Sequence, residues 1–354
     1  MLAQGFLFQK SYDNSSDKPN TQATTLPAWS SPGIVFTLVM LGGDRVVEQT
    51  FTQAIAEIAA DNRSGATQIA ERAADILLQR ASVGQAPSAE AFRREILLTG
   101  WALIHAQTVM APLVNLVNTV MWRMEQGDSP RVLHQAVAHA TEEFKRQLHQ
   151  HALHVAEGTL GLIDEGSKIV TLSFSSTIQH ALIHAQRAGR RIEVICAESL
   201  PGREGRETAQ VLRSCGVNAT LYDDAAALAA IEKANLVLVG VDMLTSTGLI
   251  NKAGTEALAR AARAAGVPFY TLCGSEKFLP PGFQLDRVEP APANGSTRAA
   301  LPNLSELPFD FTPLELLSGI VTEQGILPIA AIEAWLAATR LHPALSHYSA
   351  EAVY

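Results

Sequence analysis

The most pointed chemical feature of this chain is an aspartate set behind a buried apolar run: LVLVG at 236–240 is followed by Val241 and Asp242. Burial raises a carboxyl pKa and a nearby ammonium lowers it, so an acid placed there is prepared for acid–base work. Further along, Asn251 and Lys252 begin the stretch NKAGT. A lysine opening a helix suits a phosphate. A structural Asp–Lys pair or a turn-forming aspartate would use the same residues, but the position behind a buried strand favours a functional reading.

Two further groups carry less. Ser173-Phe174-Ser175-Ser176-Thr177 is a run rich in hydroxyls that opens a helix. It can bind an anion through the helix N-terminus, yet serine and threonine are ordinary N-caps, and alone the capping reading is the simpler one. Glu198 to Arg206 places Arg203 and Arg206 at a glycine-containing turn before a helix. Such a pair either clamps a phosphate or is solvated, and the two readings balance.

Other chemistries lack support. There is no G-x-G-x-x-G and no P-loop, which argues against classical dinucleotide binding and NTP hydrolysis. Five histidines, at 134, 139, 149, 151 and 154, fall in one predicted helix, but their spacing does not set a ligand group on one face. No metal site and no cofactor are expected. No Ser-His-Asp constellation can be assembled from spacing.

These residues are positioned by elements whose pattern changes along the chain. The 354 residues are enough for two domains; 47% are apolar and 18% charged, with a net charge of −8. Lysine and arginine form no long run, so nucleic-acid binding is not expected. Cys196, Cys215 and Cys273 fit neither a disulfide framework nor a zinc knuckle and suit a reducing compartment. The start lacks the basic and apolar regions of a secretory signal. Gly33–Leu41 (GIVFTLVML) is apolar but far short of the ~20 residues of a membrane helix. A cytoplasmic protein without membrane association is expected.

Residues 1–32 are polar and aperiodic and read as disordered. From about Val46 to Glu157 the apolar residues recur at helical spacing, as in Val47, Phe51, Ile55 and Ile58, then Ile69, Ala73, Ile76 and Leu77 beyond a break at Arg63-Ser64-Gly65. Glu90–Ala106, Leu113–Met124 and Arg131–Glu157 continue this pattern, and no strand is predicted there. At Gly166 the period switches. Lys168–Ser173, Ile192–Cys196, Val217–Tyr222, Leu236–Gly240 and Pro268–Leu272 read as strands, separated by helical stretches 176–187, 205–214 and 254–265. Gly189, Gly216 and Gly266 are placed to cap those helices. Strands alternating with helices predict βαβ units and a parallel sheet, whose ligands sit at the carboxyl ends of the strands.

Taken in order, VTLSFSST, CAESLPGREGR at 196–206, LVLVGVDM with the downstream NKAGT, and VPFY resemble the translation initiation factor 2B α/β/δ-subunit family. That family shares its fold with 5-methylthioribose-1-phosphate isomerase and ribose-1,5-bisphosphate isomerase. NRSGATQIAERAADIL at 62–77, MAPLVNL at 110–116 and FDFTPLELLSGIVTEQG at 309–325 extend the likeness to residues 46–330. The resemblance implies an α/β protein with a helical N-terminal domain, 46–157, after an extension, 1–45. A Rossmann-like parallel-sheet domain of the NagB/RpiA/CoA-transferase type, 158–340, would bind ligand and form a homodimer, leaving a tail, 341–354. It places the isomerases' catalytic aspartate on Asp242, the substrate-contacting pair on Asn251 and Lys252, and the first phosphate site on Arg63 and Gly65, with Ser64 interrupting the isomerases' Arg-Gly-Ala.

Three departures bear on activity. Ser173 occupies the position of the catalytic cysteine, Met110 that of a second phosphate-binding arginine, and Leu200 and Glu204 replace an arginine and a glutamine. A thiol titrates near ~8.5, whereas a serine hydroxyl needs a base to ionise at neutral pH. Exchanging arginine for leucine and gaining a glutamate weakens a site for a doubly charged phosphate. The expectation is a non-catalytic or regulatory binder of a phosphorylated sugar or nucleotide, with a translation factor as a candidate partner. The alternative is an aldose–ketose isomerase working through Asp242.

Overall fold

The computed structural model describes residues 45–284 and 308–346. The expectations for the extension up to residue 44, the apolar run at 33–41 and most of the 341–354 tail lie outside them. The chain begins with five helices: α1 (Arg45–Ala60), α2 (Ala66–Val83), α3 (Ala89–Ala106), α4 (Ala111–Met124) and α5 (Pro130–Thr159). Their apolar spacing sets the packing. Ile69, Ala73 and Leu77 of α2 are fully buried, with Ile58, Leu103 and Leu116 from the neighbouring helices in the same core. Ser88 caps α3 by accepting the Ala91 N–H. Pro112 sits in the first turn of α4, where no intrahelical donor is lost. No strand occurs among the described residues of this region, as the periodicity predicts.

The remainder alternates: β1 (Lys168–Leu172), α6 (Ser176–Arg187), β2 (Glu193–Ala197), α7 (Gly205–Ser214), β3 (Asn218–Tyr222), α8 (Asp224–Ala230) and β4 (Leu236–Val239). After these come β5 (Met243–Leu244), β6 (Gly248–Lys252), α9 (Thr255–Ala265), β7 (Phe269–Leu272), β8 (Phe309–Pro313), β9 (Gly319–Thr322), β10 (Gly325–Leu327) and α10 (Ile332–Ala337). The main sheet runs β10-β9-β7-β4-β1-β2-β3, parallel except for β10, which pairs antiparallel with β9. β4 is therefore central and buried along its whole length, as LVLV demands. Gly189, Gly216 and Gly266 follow their helices with positive φ, as expected of C-terminal caps.

A second, antiparallel sheet of order β5-β6-β8 was not anticipated. It corrects one expectation: Lys252 does not open a helix. It is the last residue of β6, and α9 begins at Thr255 behind Gly254, whose φ is 104°. The reason is tertiary. β6 pairs with β8, Asn251 against Asp310 and Lys252 against Phe309, so the partner lies far off in sequence. β6 is buried on both faces and so lacks the alternation that marks a half-exposed strand.

Candidate functional site

The site is built at the carboxyl end of β4. Behind Val239 the chain must pass close to α6, and Gly240 permits this: a Cβ there would stand 2.7 Å from Ser175 Oγ. Asp242 is then held from both sides of its backbone. Its N–H donates to Ile250 O of β6 (3.0 Å), and its carbonyl accepts the N–H of Ala111 (3.1 Å), the first residue of α4. Asp242 thus joins the main sheet, the small sheet and the helical region. Its carboxyl pKa is pushed up to about 6 by burial, against the opposing pull of the Lys277 and Lys252 ammonium groups.

Asn251 is buried and donates through Nδ2 to Thr255 Oγ1 (3.0 Å), which donates in turn to Lys252 O (2.6 Å). This fixes the β6–α9 junction. Asp310 of β8 caps α9 from outside, with Oδ2 accepting the N–H groups of Gly254 (2.7 Å) and Glu256 (3.2 Å). Lys252 is buried too, but its Nζ contacts Glu204 Oε1 at 2.5 Å, so its charge is matched within the protein. The other oxygen of Glu204 is buried without a partner.

Ser173 lies just beyond β1 with a left-handed backbone (φ 59°), and Ser199 and Arg203 beyond β2 share this conformation at 65° and 63°. Left-handed non-glycine residues gathered at strand ends are a mark of sites over-determined by their surroundings. Those surroundings are visible here. Ser173 N–H donates to Ser199 Oγ (2.7 Å), Thr208 Oγ1 donates to Ser173 O (2.8 Å), and Asp224 accepts the N–H groups of Ser199 and Leu200. Among the described residues no base stands within hydrogen-bonding distance of the Ser173 hydroxyl.

The remaining predicted residues are placed less tightly. Gly65, at the N-terminus of α2, approaches Phe174 next to Ser173: a Cβ there would lie 3.6 Å from the ring. That contact brings the Arg63–Gly65 loop to the β1 end. Arg63 itself is exposed, with its N–H on Asp61 Oδ1 (3.0 Å). Arg203 and Arg206 are more than half exposed and turn to Glu198, at 3.7 and 2.5 Å. Two surface cavities of about 280 and 370 Å³ open at the amino ends of the strands, lined by Asp164, Ser167 and Asn235 in one and Arg263, Glu315 and Ser318 in the other; neither includes Asp242.

Lys277 was not anticipated. It ends the turn Ser275–Lys277 just beyond β7, is 4% exposed, and acts electrostatically on Asp242 and on the Cys273 thiol. Asn115 of α4 fixes this turn by donating to the carbonyls of Glu276 (2.6 Å) and Phe278 (2.8 Å). The signal was available: Lys277 follows the end of β7 much as Asp242 follows β4. Among the described residues no cluster of ligands suited to a metal occurs, and no helix is long and apolar enough to cross a membrane.

Comparison with known proteins agrees with this arrangement. The ribose 1,5-bisphosphate isomerase of Archaeoglobus fulgidus is 31% identical over 271 residues, covering 75% of this chain and 85% of that protein. A putative translation initiation factor eIF-2B subunit 2-like protein of Pyrococcus horikoshii is 34% identical over 188 residues, 52% of this chain and 66% of the other. The crystal structure of the Pyrococcus horikoshii translation initiation factor eIF-2B superposes with a TM-score of 0.66 at 27% identity, covering 79% of this chain and 97% of that one. The model of the initiation factor 2 subunit family matches residues 62–329. From the helical region through both sheets, this chain is a member of the initiation factor 2 subunit family.

Proposed function

We propose that this protein binds a phosphorylated sugar or nucleotide at the carboxyl end of β4 and does so without isomerase chemistry. The observation that carries this reading is the state of Ser173 and its surroundings. The residue in the position of the family's thiol is a hydroxyl with no neighbouring base, and its backbone groups are already hydrogen-bonded. The cations that would clamp a phosphate are largely matched internally, Lys252 by Glu204 and both Arg203 and Arg206 by Glu198. Lys277, buried, and Arg63, exposed on the loop beside β1, make no ion pair with a carboxylate among the described residues and are the cations left to meet an anion. Asp242, Asn251 and Gly65 border the same region and would orient the ligand. A homodimer, and a translation-factor partner like those of the family's initiation-factor branch, belong to this reading.

The isomerase reading retains one specific support. An acid whose pKa stands at about 6 is poised for proton transfer near neutral pH. Two measurements separate them. Thermal shift with pentose phosphates and nucleoside monophosphates tests binding, because a ligand that binds only the folded state raises its stability by mass action. Turnover of ribose 1,5-bisphosphate and 5-methylthioribose 1-phosphate tests catalysis. Binding without turnover is expected; turnover near ~1 s⁻¹ on either substrate would establish the isomerase instead.

A further inference from the structure

We propose that His151 of α5, paired with Glu276, is a latch that positions Lys277 against Asp242, so that anion binding at this site depends on the charge of His151. The proposal deepens the reading of the Asp242–Lys277 region as an anion site and rests on it for its functional meaning.

The turn that carries Lys277 has little stability of its own, being a single 3₁₀ turn, closed by Lys277 N–H on Gly274 O (3.1 Å) and Phe278 N–H on Ser275 O (3.0 Å). Four tethers hold it from outside. Two are the Asn115 hydrogen bonds to its carbonyls, and the third is Ser275 N–H on Glu323 Oε2 (3.0 Å), from the turn joining β9 and β10. The fourth is His151 Nδ1 at 2.7 Å from Glu276 Oε2, with both side chains largely buried. Gly274 makes that approach possible: a Cβ there would crowd both the Glu276 carboxylate and the His151 Cβ.

Of these tethers, the imidazole is the one whose ordinary titration lies near neutrality. Burial disfavours its charged form, but the hydrogen bond and charge of Glu276, with Glu323 added, outweigh burial and hold its pKa above the usual value. The groups acting on it are Glu276 from the Lys277 turn and Glu323 from the β9–β10 turn. On the α5–α6 face the coupling is instead between His149 and His180. A neutral His151 therefore leaves two carboxylates uncompensated beside the turn. The turn loosens, and Lys277, one residue beyond Glu276, loses its fixed place.

The test reads Lys277 through Asp242, so it does not depend on knowing the ligand. Asp242 is titrated by ¹³C NMR in full-length protein labelled at aspartate carboxyls, its resonance identified by its loss in Asp242→Asn. Lys277→Met should raise the titration midpoint by about two units, the shift Coulomb's law gives at an effective dielectric of about 20 when an ammonium at about 5 Å is removed; its withdrawal to about 10 Å would give about half of that. His151→Ala should raise it by at least half as much, with His151→Gln falling between the alanine variant and wild type. Should His151→Ala fail to fold, Glu276→Gln makes the same comparison. Calorimetry with ribose 5-phosphate adds the functional arm: wild-type affinity should fall about tenfold from pH 7 to 9, while the His151→Gln variant stays flat. The latch is overturned if Lys277→Met leaves Asp242 unmoved, or if it moves Asp242 and the histidine variants do not. If Asp242 moves as expected but wild-type protein binds no ribose 5-phosphate, the latch stands and the anion-site reading fails.

Discussion

Replacing Asp242 by asparagine should stabilise the protein, by an amount set by pH. The wild-type carboxyl is ordinary in the unfolded chain, at 3.8, and stands at about 6 in the fold because burial disfavours its charge more than Lys277 and Lys252 favour it. A group whose folded pKa is raised binds protons more tightly in the native state. The stability of the wild type therefore falls as pH climbs between those two values and is level above the higher one. The whole difference, about two units at ~1.4 kcal/mol each, is roughly 3 kcal/mol above pH 6 and close to zero near pH 4. With an unfolding entropy of ~2.1 cal/mol/K per residue, 3 kcal/mol corresponds to about 4 °C in the midpoint for a chain of this length. Thermal unfolding of both proteins at intervals from pH 4 to 8 measures it. The two should coincide at the acid end, and the asparagine variant should lead by about 4 °C at pH 8. On the proposed reading the same variant should also weaken ligand binding, because Asp242 is there the group that orients the ligand. A variant that is no more stable at pH 8, or a gap that does not widen with pH, would refute the burial argument.

Further outcomes follow from other contacts. Arg80 is 2% exposed and bridges Glu48 (2.6 Å) and Glu95 (2.7 Å) beneath the Phe51 ring. Arg80→Ala leaves those carboxylates without their cation and should cost ~3–5 kcal/mol in urea unfolding. Asp310→Ala removes the acceptor for the first amides of α9 and should cost about 1–2 kcal/mol, with Asp310→Asn costing less because burial already favours a neutral carboxyl. Ser173→Cys alone should not yield measurable isomerase turnover, since Lys252 remains matched by Glu204, and Arg203 and Arg206 by Glu198. Sedimentation at micromolar concentration should show a dimer of the 37.9 kDa chain, an interface that would bury more than ~1,000 Å²; a monomer alone would contradict it.

What the sequence determined by itself is what depends on near neighbours. Helices α2 to α5 were legible because Ile69, Ala73 and Leu77, and residues spaced like them, write a 3.6-residue period along one face. The parallel strands were legible because LVLVG and its fellows are short apolar runs separated by helices and closed by Gly189, Gly216 and Gly266. Asp242 could be singled out because the end of a central parallel strand is where such sheets bind. What only the tertiary structure decided is what depends on partners far away in the chain. β6 exists as a strand because β8 lies beside it, and that pairing moved Lys252 from a helix start to a strand end. Lys252 at the end of β6 meets Glu204 just before α7, Arg206 of α7 meets Glu198 just beyond β2, and charges read singly as phosphate ligands become matched pairs. Apart from its place beyond β7, Lys277 carries no local mark that singles it out. It sits in a turn held by Asn115 and His151 from two different helices, and its burial and its field on Asp242 are tertiary, because the energy of a buried charge is set by everything within several ångströms rather than by its neighbours along the chain.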